Sequence, residues 1–305
     1  MRLTVLMPFH TPFYTPLAAG AALGHFAAED LDVTVMPAAR YGTSAVEAMQ
    51  SGRIEVALSG IMRSLVLADE GGPRIVHFAE VCSRNGFFLL SREPRPGFTW
   101  ADMRGRTVIG FAEAPTPWQC MLTVLRNNGV DPGSVRIDRA RPGPEAVAAF
   151  RAGEGDFLEQ TQPVVEQLLE SGAAHLIASM GEATGPVPFT SYMATPEFMR
   201  REPDVIARFT RAVYRTQRWL AAATPAEAAA AVAAQFPEVP APTRERIAAR
   251  YLGQSTWARD PICRRAGYEY LQDMLVYGGL IKRRFPYEDL IDTTAASAAV
   301  ADARS

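Results

Sequence analysis

Apolar runs alternate with helical patterns through the first sixty residues of the chain. Three short apolar stretches predict strands, at residues 3–7, 31–36 and 54–58. Between them, Thr15 precedes a first-turn proline and Ser44 forms a capping box with Glu47, so each marks the start of a helix. Strands that alternate with helices at this spacing pair in parallel through right-handed crossovers. The pattern therefore predicts an α/β fold.

The same plan restarts near residue 87 and gives way to helices after residue 195. Further strands are predicted at residues 87–90, 107–111, 135–137, 156–158 and 175–178. Proline and glycine separate the later helical patterns, at residues 203–222, 225–236, 243–252 and 261–277. The tail from residue 295 is expected to fray. Two α/β segments of similar plan predict two similar lobes, followed by a helical region.

Composition narrows the function classes. Of the 305 residues, 48% are hydrophobic and 21% are charged, as in an ordinary globular protein, and the net charge is −2. The basic residues are spread along the chain rather than gathered in a stripe, so a nucleic-acid partner is not expected. No apolar run reaches the roughly 18 residues of a membrane span, so the chain is not expected to cross a membrane.

The N-terminus leaves two compartments open. The chain begins directly with the residues of the first strand and shows no charged-then-apolar leader with a cleavage site. If a leader has been removed, a periplasmic or lipid-anchored extracytoplasmic location is expected. Otherwise the protein is expected in the cytoplasm.

Cysteine and histidine spacing gives no sign of a metal centre. The cysteines lie far apart, at positions Cys82, Cys120 and Cys263. This spacing predicts buried free thiols, with one disulfide left open as the alternative. The histidines also lack metal-ligand spacing, at positions His10, His25, His77 and His175. No metal and no cofactor are expected.

Six segments in order along the chain carry a family resemblance, at residues 24–33, 48–57, 102–110, 150–156, 256–258 and 286–290. Segment 48–57, AMQSGRIEVA, is similar to the pattern A-L-x-S-G-x-I-D-x-A, and segment 102–110, DMRGRTVIG, to D-L-x-G-K-x-V-G. The chain resembles the sulfonate, nitrate and taurine branch of type II periplasmic binding proteins, which includes a thiamine-pyrimidine-precursor family.

The resemblance implies a two-lobed clamshell in which two crossing strands join α/β lobes and a ligand lies between them. The crossings are expected near residues 87–92 and 188–193. Lobe one would then comprise residues 1–88 and 193–305, with the helical C-terminal region packed on it, and lobe two residues 89–192. The implied role is the solute-binding component of an ABC transporter. Such a protein closes on a small molecule by a hinge motion and delivers it to an ABC permease.

Loops that follow the parallel strands of lobe one are candidate ligand contacts, because ligands of open α/β sheets bind beyond the carboxyl ends of the strands. After the first strand come Phe9, His10, Phe13 and Tyr14. They suit a planar organic ligand, and a packed turn is the alternative. After the second strand comes a helix start that could hold an anionic group or could be ordinary capping, at Arg40, Tyr41, Gly42 and Thr43. After the third strand comes Ser59.

Lobe two and the second crossing supply the remaining candidates. Glu113 and Trp118 enter a helix, where Trp118 either stacks on the ligand or packs in the lobe core. Glu159 and Gln160 follow the 156–158 strand, and a carboxylate there suits a cation, an amino group or a ring N–H, with a surface salt bridge as the alternative. Tyr192 lies near the second crossing. Together these loops favour an aromatic or heterocyclic ligand with a polar or anionic substituent.

Two other functions remain open beside the transport role. The fold resembled here is shared with a pyrimidine synthase associated with a pyridoxal phosphate–lysine linkage, which would make the chain an enzyme. The single lysine, Lys282, lies in the helical region outside every candidate loop, and no G-x-S-x-G or G-x-G-x-x-G motif is present. No catalytic residue is therefore assigned. The second alternative is a cytoplasmic ligand sensor built on the same clamshell.

Overall fold

The computed structural model describes residues 1–303 of the 305-residue chain. Its strands are β1 (Arg2–Met7), β2 (Asp32–Pro37), β3 (Val56–Ser59), β4 (Val76–Cys82), β5 (Phe88–Ser91), β6 (Thr107–Ile109), β7 (Arg136–Asp138), β8 (Phe157–Gln160), β9 (His175–Ser179) and β10 (Thr190–Ala194). Its α-helices are α1 (Thr15–Ala22), α2 (Ala38–Tyr41), α3 (Ala45–Gln50), α4 (Ile61–Asp69), α5 (Pro115–Asn127), α6 (Gly143–Arg151), α7 (Val164–Glu170), α8 (Met180–Thr184), α9 (Pro196–Arg201), α10 (Pro203–Ala222), α11 (Pro225–Ala231), α12 (Ala241–Gly253), α13 (Arg265–Tyr277), α14 (Tyr287–Leu290) and α15 (Thr294–Asp302).

The first sheet has the strand order β2-β1-β3-β10-β4. Strand β1 pairs in parallel with β2 and β3, as the strand–helix alternation predicted. Strand β10 is antiparallel to both β3 and β4. The sequence did not predict β4, because its buried strand carries His77 and Glu80 among the apolar residues.

The second sheet repeats this plan in the order β7-β6-β8-β5-β9. Strand β6 pairs in parallel with β7 and β8, and β5 is antiparallel to β8 and β9. In each sheet the antiparallel strand is fourth in the order, β10 in the first sheet and β5 in the second. Each of these strands is the first one that the chain forms after it crosses from the other sheet. The two-lobed α/β fold predicted from the sequence is therefore confirmed.

The chain passes from the first sheet to the second between Cys82 and Phe88, and returns between Ser179 and Thr190. The two crossing segments, residues 83–87 and 180–189, are hydrogen-bonded to one another. Val187 N–H donates to the carbonyl of Ser83 at 2.9 Å, and the Arg84 guanidinium donates to the carbonyl of Gly181 at 3.2 Å. The predicted lobe bounds stay a prediction. Residues 190–192, which those bounds give to lobe two, lie on β10 in the first sheet.

The C-terminal helices pack on the first lobe and also reach the second. Helix α10 lies against α1 and β4, and buries Phe209 against Phe26, Phe78 and Tyr192. Helix α12 contacts α7 of the second lobe, and α13 contacts α5. The C-terminal region therefore joins the lobes beside the crossing segments.

The tail differs from its sequence-based expectation. Helix α15 packs on α10 and β4 through Ala296, Ala299 and Val300, which are buried. Small side chains allow this close packing, so the expected fraying from residue 295 is wrong for residues 295–302. Residues 304–305 lie outside the described part of the chain.

The thiols are free and buried, as predicted, at Cys82, Cys120 and Cys263. Within residues 1–303, no three His, Cys, Asp or Glu side chains gather in a group that could hold a metal ion. Over the same residues, no helix combines the length and the apolar character needed to cross a membrane.

Candidate ligand cleft

A cavity of about 550 Å³ lies between the two sheets. We call it the cleft. Strand-end loops of both lobes and both crossing segments contribute to its walls, through Pro8, Phe9, His10, Thr11, Phe13, Tyr14, Gly60, Met62, Arg63, Phe87, Phe111, Glu113, Ala114, Thr116, Gly143, Pro144, Val147, Gln160, Thr161, Gln162, Pro163, Val164, Gln167, Phe189 and Thr190. The volume suits a small organic molecule.

Aromatic rings form a continuous wall that runs from one lobe to the other. Phe9 of the first lobe meets Phe111 of the second edge-on, with ring centroids 6.0 Å apart. Phe111 also lies 4.9 Å from Phe87 in the first crossing segment. Phe189 in the second crossing segment contacts Phe87 at 6.4 Å and Phe13 at 5.7 Å. A flat ligand would find π-faces and ring edges from both lobes in this space.

Three uncharged polar groups at the wall are available for a ligand. The Tyr14 hydroxyl, the Thr116 hydroxyl and the Gln160 side-chain N–H₂ have no hydrogen-bond partner among residues 1–303. The first belongs to the β1 side of the cleft, and the other two belong to the second lobe. Because an unpaired buried polar group is costly, these groups favour a ligand that hydrogen-bonds to both lobes.

Full charges lie at the rim of the cleft rather than in its interior. Arg63 and Glu113 are both exposed. The Arg63 guanidinium donates to the backbone carbonyl of Glu113 at 3.3 Å, and a Glu113 carboxylate oxygen accepts from Gly143 N–H at 2.7 Å. Each of these charged groups thus makes one hydrogen bond within the protein. The interior therefore offers hydroxyl and amide groups, not an ion-pair partner.

Direct contacts between the lobes close part of the cleft. The Thr11 hydroxyl donates to the carbonyl of Gln162 at 2.9 Å. Gly60 at the start of α4 also faces the second lobe: a Cβ atom there would lie 3.3 Å from the Phe189 carbonyl oxygen and 3.9 Å from the Thr116 hydroxyl. A side chain at this position would therefore crowd the backbone of the second crossing segment.

Six of the sequence-predicted site residues line the cleft, namely Phe9, His10, Phe13, Tyr14, Glu113 and Gln160. The His10 ring also packs 4.7 Å from the ring of Phe236, which lies between α11 and α12. The C-terminal region therefore touches the β1 loop at the mouth of the cleft. Contact of these residues with a ligand stays a prediction.

The segment after β2 is not brought to the cleft. The Ser44 hydroxyl accepts from Glu47 N–H at 3.2 Å, while the Glu47 carboxylate accepts from Ser44 N–H and from the Thr43 hydroxyl. The Tyr41 hydroxyl donates to the carbonyl of Arg53 at 2.9 Å. These contacts match the capping alternative. The residues that line the cleft do not include Arg40, Tyr41, Gly42 or Thr43.

Ser59 and Tyr192 also lie outside the cleft lining. Ser59 is the buried last residue of β3, and the adjacent Gly60 lines the cleft in its place. Tyr192 is buried in the first lobe, where its ring stacks on Phe78 at 6.4 Å and meets Phe209 edge-on. It lies within a strand of the first sheet rather than at a strand end, which explains its distance from the expected ligand site.

Trp118 and Glu159 also lie outside the cleft lining. The Arg139 guanidinium covers the Trp118 ring, 5.1 Å from its centroid. Successive residues of a strand face opposite sides, so Gln160 faces the cleft and Glu159 faces the interior. Burial raises the pKa of the Glu159 carboxyl to about 8, an effect that Arg139 partly offsets.

Sequence reasoning missed several cleft residues. Thr161 and Gln162 follow β8 directly, so the strand-end rule would have found them had the end of that strand been placed two residues later. Phe87 and Phe189 fall at the predicted crossings, where a large aromatic residue was a usable signal. Arg63, in the first turn of α4, carried no distinctive signal in the sequence.

Two five-stranded sheets of the same strand order, joined by two crossing segments around a cleft, define the periplasmic-binding-protein fold. Solved structures share this fold over nearly the full chain. The alkanesulfonate-binding protein SsuA from Xanthomonas axonopodis pv. citri, bound to MOPS, aligns with a TM-score of 0.73 at 16% identity, covering 96% of this chain and 98% of its own. The desulfurization enzyme DSZB, as a variant in complex with biphenyl-2-sulfinic acid, aligns with a TM-score of 0.69 at 14% identity, covering 99% of each chain.

Sequence comparison gives the family. The model of the family described as NMT1/THI5 like matches residues 8–228, so the chain belongs to the NMT1/THI5-like family. A curated relative in Bacillus subtilis (strain 168), named "Putative binding protein YtlA", is 27% identical over 289 residues, which cover 93% of this chain and 85% of the relative.

Proposed function

We propose that the protein is a solute-binding protein that captures a small aromatic or heterocyclic molecule in the cleft. The observation that carries the proposal is the aromatic wall shared by both lobes, because Phe9 and Phe111 meet across the cleft between loops of separate sheets. A ligand held there would touch both lobes and both crossing segments at once. The relative in Bacillus subtilis, named for a binding role, supports the same function.

Hinge closure is the mechanism that this arrangement supports. A ligand that bridges Tyr14 of the first lobe and Gln160 of the second binds the closed form better than the open form, and so shifts the population toward closure. Closure also removes water from the cleft and strengthens each polar contact. The crossing segments, residues 83–87 and 180–189, are where the backbone would bend.

The chemistry of the cleft favours an uncharged ring system over a strongly anionic one. MOPS and biphenyl-2-sulfinic acid, named with the two structural neighbours, are both sulfur acids. In this chain the arginine of the lining, Arg63, is exposed at the rim and donates to the Glu113 carbonyl. The available interior groups are two hydroxyls and an amide, which match ring nitrogens, amino groups or carbonyl oxygens.

Two measurements test the proposal. Native mass spectrometry of freshly purified protein detects a retained ligand, and thermal denaturation then measures the effect of that released ligand on the melting temperature. A ligand that binds only the folded protein raises the melting temperature, and the rise grows with the logarithm of its concentration above Kd. We expect a retained or added aromatic heterocycle to give such a rise, and Gln160→Ala to reduce it. A rise produced by aliphatic sulfonates but by no aromatic compound would refute the ligand class.

An ABC permease is the proposed partner, and an extracytoplasmic site the proposed location. SsuA from Xanthomonas, named as an alkanesulfonate-binding protein, supports a role in solute capture through its shared fold. A permease gene and an ATPase gene beside this gene, together with recovery of the native protein outside the cytoplasmic fraction, are the expected findings. A cytoplasmic protein with no such neighbours would instead fit a ligand sensor.

An enzymatic role is the second candidate, and the fold shared with DSZB is the observation that favours it. The cleft lining contains neither lysine nor cysteine, and Lys282 is an exposed residue near Asp69 at the surface. A Schiff base or a thiolate attack would therefore need a residue from outside the lining. Mass spectrometry can monitor a cleft ligand over hours. Turnover of that ligand would distinguish this role from simple binding.

A further inference from the structure

A second cavity, of about 690 Å³, lies beside the crossing segments and outside the cleft. We call it the hinge cavity. No lining residue is shared between the two cavities. The hinge cavity is lined by Glu80, Ser83, Arg84, Pro186, Val187, Pro188, Ser255, Trp257, Ala258, Arg259, Asp260, Arg264, Ala266, Gly267 and Tyr270. Its volume exceeds that of the cleft, so it can admit a small organic molecule.

Both crossing segments form walls of the hinge cavity. Ser83 and Arg84 come from the first segment, and residues 186–188 from the second. The rest of the lining is Glu80 on β4, the stretch between α12 and α13, and the first turns of α13. A molecule in this cavity would therefore rest against each of the two chain segments that join the lobes.

An unpaired buried carboxyl belongs to this cavity. Glu80 is only 5% exposed. Its backbone N–H donates to the carbonyl of Pro261, and its backbone carbonyl accepts from the side chain of Gln217. Its carboxyl group, by contrast, has no hydrogen-bond partner among residues 1–303. A buried polar group that lacks a partner and lines a cavity points to a missing ligand.

The charged groups of the lining give the sign of that ligand. Arginines 84, 259 and 264 line the cavity together with Glu80 and Asp260, so positive charge is in excess even when both carboxyls are ionised. Arg264 is held by Asp260 in a two-bond ion pair. Arg259 is exposed and has no ion-pair or hydrogen-bond partner within residues 1–303. An arginine with five free N–H donors is well suited to a carboxylate.

The hinge cavity shares a wall with the cleft. Trp257 lines the hinge cavity, and its indole N–H donates to the carbonyl of Phe13 at 3.0 Å. Phe13 in turn lines the cleft. Likewise, Pro188 lines the hinge cavity and its neighbour Phe189 lines the cleft. The two cavities are therefore separated only by directly bonded residues.

We propose that the hinge cavity is a second binding site, which takes a small organic anion bearing a carboxylate, and that its occupant restrains the crossing segments. The carboxylate would lie against Arg259 and Glu80, and the body of the molecule against Trp257 and Tyr270. This site is separate from the cleft and does not depend on the identity of the cleft ligand. Its effect would be to alter the ease with which the lobes open and close.

Protonation of Glu80 allows its carboxyl group to lie beside the carboxylate of the proposed ligand. Burial raises the pKa of Glu80 to about 8, Arg264 lowers it in part and Asp260 raises it further. At neutral pH the Glu80 carboxyl is thus largely protonated, and its O–H can donate to an anion. Among the titratable groups near it are Asp260, Arg264, Cys82, Cys263 and Tyr287. Binding should therefore weaken as the pH rises through about 8.

Hydrogen exchange of the full chain, with 4-fluorobenzoate as the probe and 4-fluorobenzamide as its uncharged partner, tests the proposal. We expect the benzoate to slow exchange in residues 83–88, 180–189 and 255–264, and the benzamide to have a much smaller effect there. Protection confined to residues 8–14 and 160–167 would place the probe in the cleft and overturn the proposal. That result would leave the proposed cleft function standing.

Fluorine NMR titration with the same probes measures the affinity in defined variants. Arg259→Ala should weaken 4-fluorobenzoate binding at least fivefold, whereas Arg200→Ala, an exposed arginine on α9 outside the cavity, should not change it. Glu80→Gln should remove the loss of affinity between pH 7 and pH 9 while the fold is retained. Unchanged affinity in Arg259→Ala, a wild-type pH dependence in Glu80→Gln, or no saturable binding at all, would overturn the site.

Discussion

The loop after β1 and the segment after β2 follow neighbouring parallel strands of one sheet, yet only the first reaches the cleft. Strand β1 lies inside the sheet between β2 and β3, whereas β2 is the edge strand farthest from β10 and the crossing segments. The β1 loop presents Phe9, His10, Phe13 and Tyr14 to the second lobe. Place in the strand order, and not only the strand end, therefore decides which loop can meet a ligand.

The two segments also satisfy their polar groups differently. After β2, Ser44, Glu47 and Thr43 bond to one another and leave the helix start without need of a ligand. After β1, the Tyr14 hydroxyl lacks a partner, and the Thr11 hydroxyl bonds across to the second lobe. A self-contained segment stabilises its own lobe, whereas an incomplete one depends on the other lobe or on a ligand.

Phe13→Ala should give the largest effect, because this residue belongs both to the core and to the cleft. Phe13 is 4% exposed and packs against Phe189 and Tyr251. Loss of a buried phenylalanine costs about 3–5 kcal/mol of unfolding free energy, and its ring would also be missing from the cleft wall. Urea unfolding and ligand titration measure the two losses. Tyr41→Ala, the aromatic control after β2, should leave ligand affinity unchanged.

Glu159→Gln should change the pH dependence of stability, because the buried face of β8 holds an acid in its neutral form. The pKa of Glu159 is raised to about 8 by burial, above the unfolded value near 4.5. Its stabilising contribution is therefore complete below about pH 4.5 and is lost as the pH rises toward 8. Each pKa unit corresponds to about 1.4 kcal/mol, so up to about 3 kcal/mol separates pH 5.5 from pH 8.

Urea unfolding at pH 5.5, 7 and 8.5 measures this effect. Glu159→Gln should lose less stability over the range than the wild-type protein, although Glu80 leaves a residual slope. Glu238→Gln replaces an exposed glutamate between α11 and α12 and serves as the matched control, with the wild-type slope expected. Identical slopes in all three proteins would show that Glu159 is ionised in the folded state.

Gln160→Ala tests the opposite face of the same strand. The Gln160 side-chain N–H₂ lines the cleft without a partner, while its oxygen accepts from Thr161 N–H at 2.9 Å. We expect a loss of about 1 kcal/mol in ligand binding, near fivefold in Kd, with a stability change of similar or smaller size. Calorimetric titration gives Kd, and a thermal melt without ligand gives the stability. Full affinity in this variant would remove Gln160 from the site.

The sequence predicted the parallel strands and the β1 loop because both depend on local patterns. It did not predict β4, since His77 and Glu80 break the apolar run. In the fold, His77 is bonded to the hydroxyls of Ser191 and Ser64, which come from β10 and α4. Such partners are 114 and 13 residues away along the chain, so no local pattern reveals them.

The candidate site was predicted in part for the same reason. Strand-end loops are readable from the sequence, but the order of strands within a sheet is set by non-local pairing. The Arg40–Thr43 candidates failed to reach the cleft because β2 became an edge strand, and Tyr192 because β10 is a buried strand of the first sheet. Arg63 reaches the cleft from the first turn of α4, where no local sequence pattern marks it as a site residue.

Ser44→Ala should produce the smallest effect. It tests the segment after β2, whose polar groups bond to one another. The Ser44 hydroxyl accepts from Glu47 N–H, so its removal should cost about 1 kcal/mol of unfolding free energy through loss of the helix cap. Ligand affinity should stay within error of the wild type, as it should in Arg40→Ala, whose side chain is exposed. If either variant instead weakened ligand binding several-fold without a matching loss of stability, the edge strand would belong to the site. Strand order would then be no guide to which loops meet the ligand.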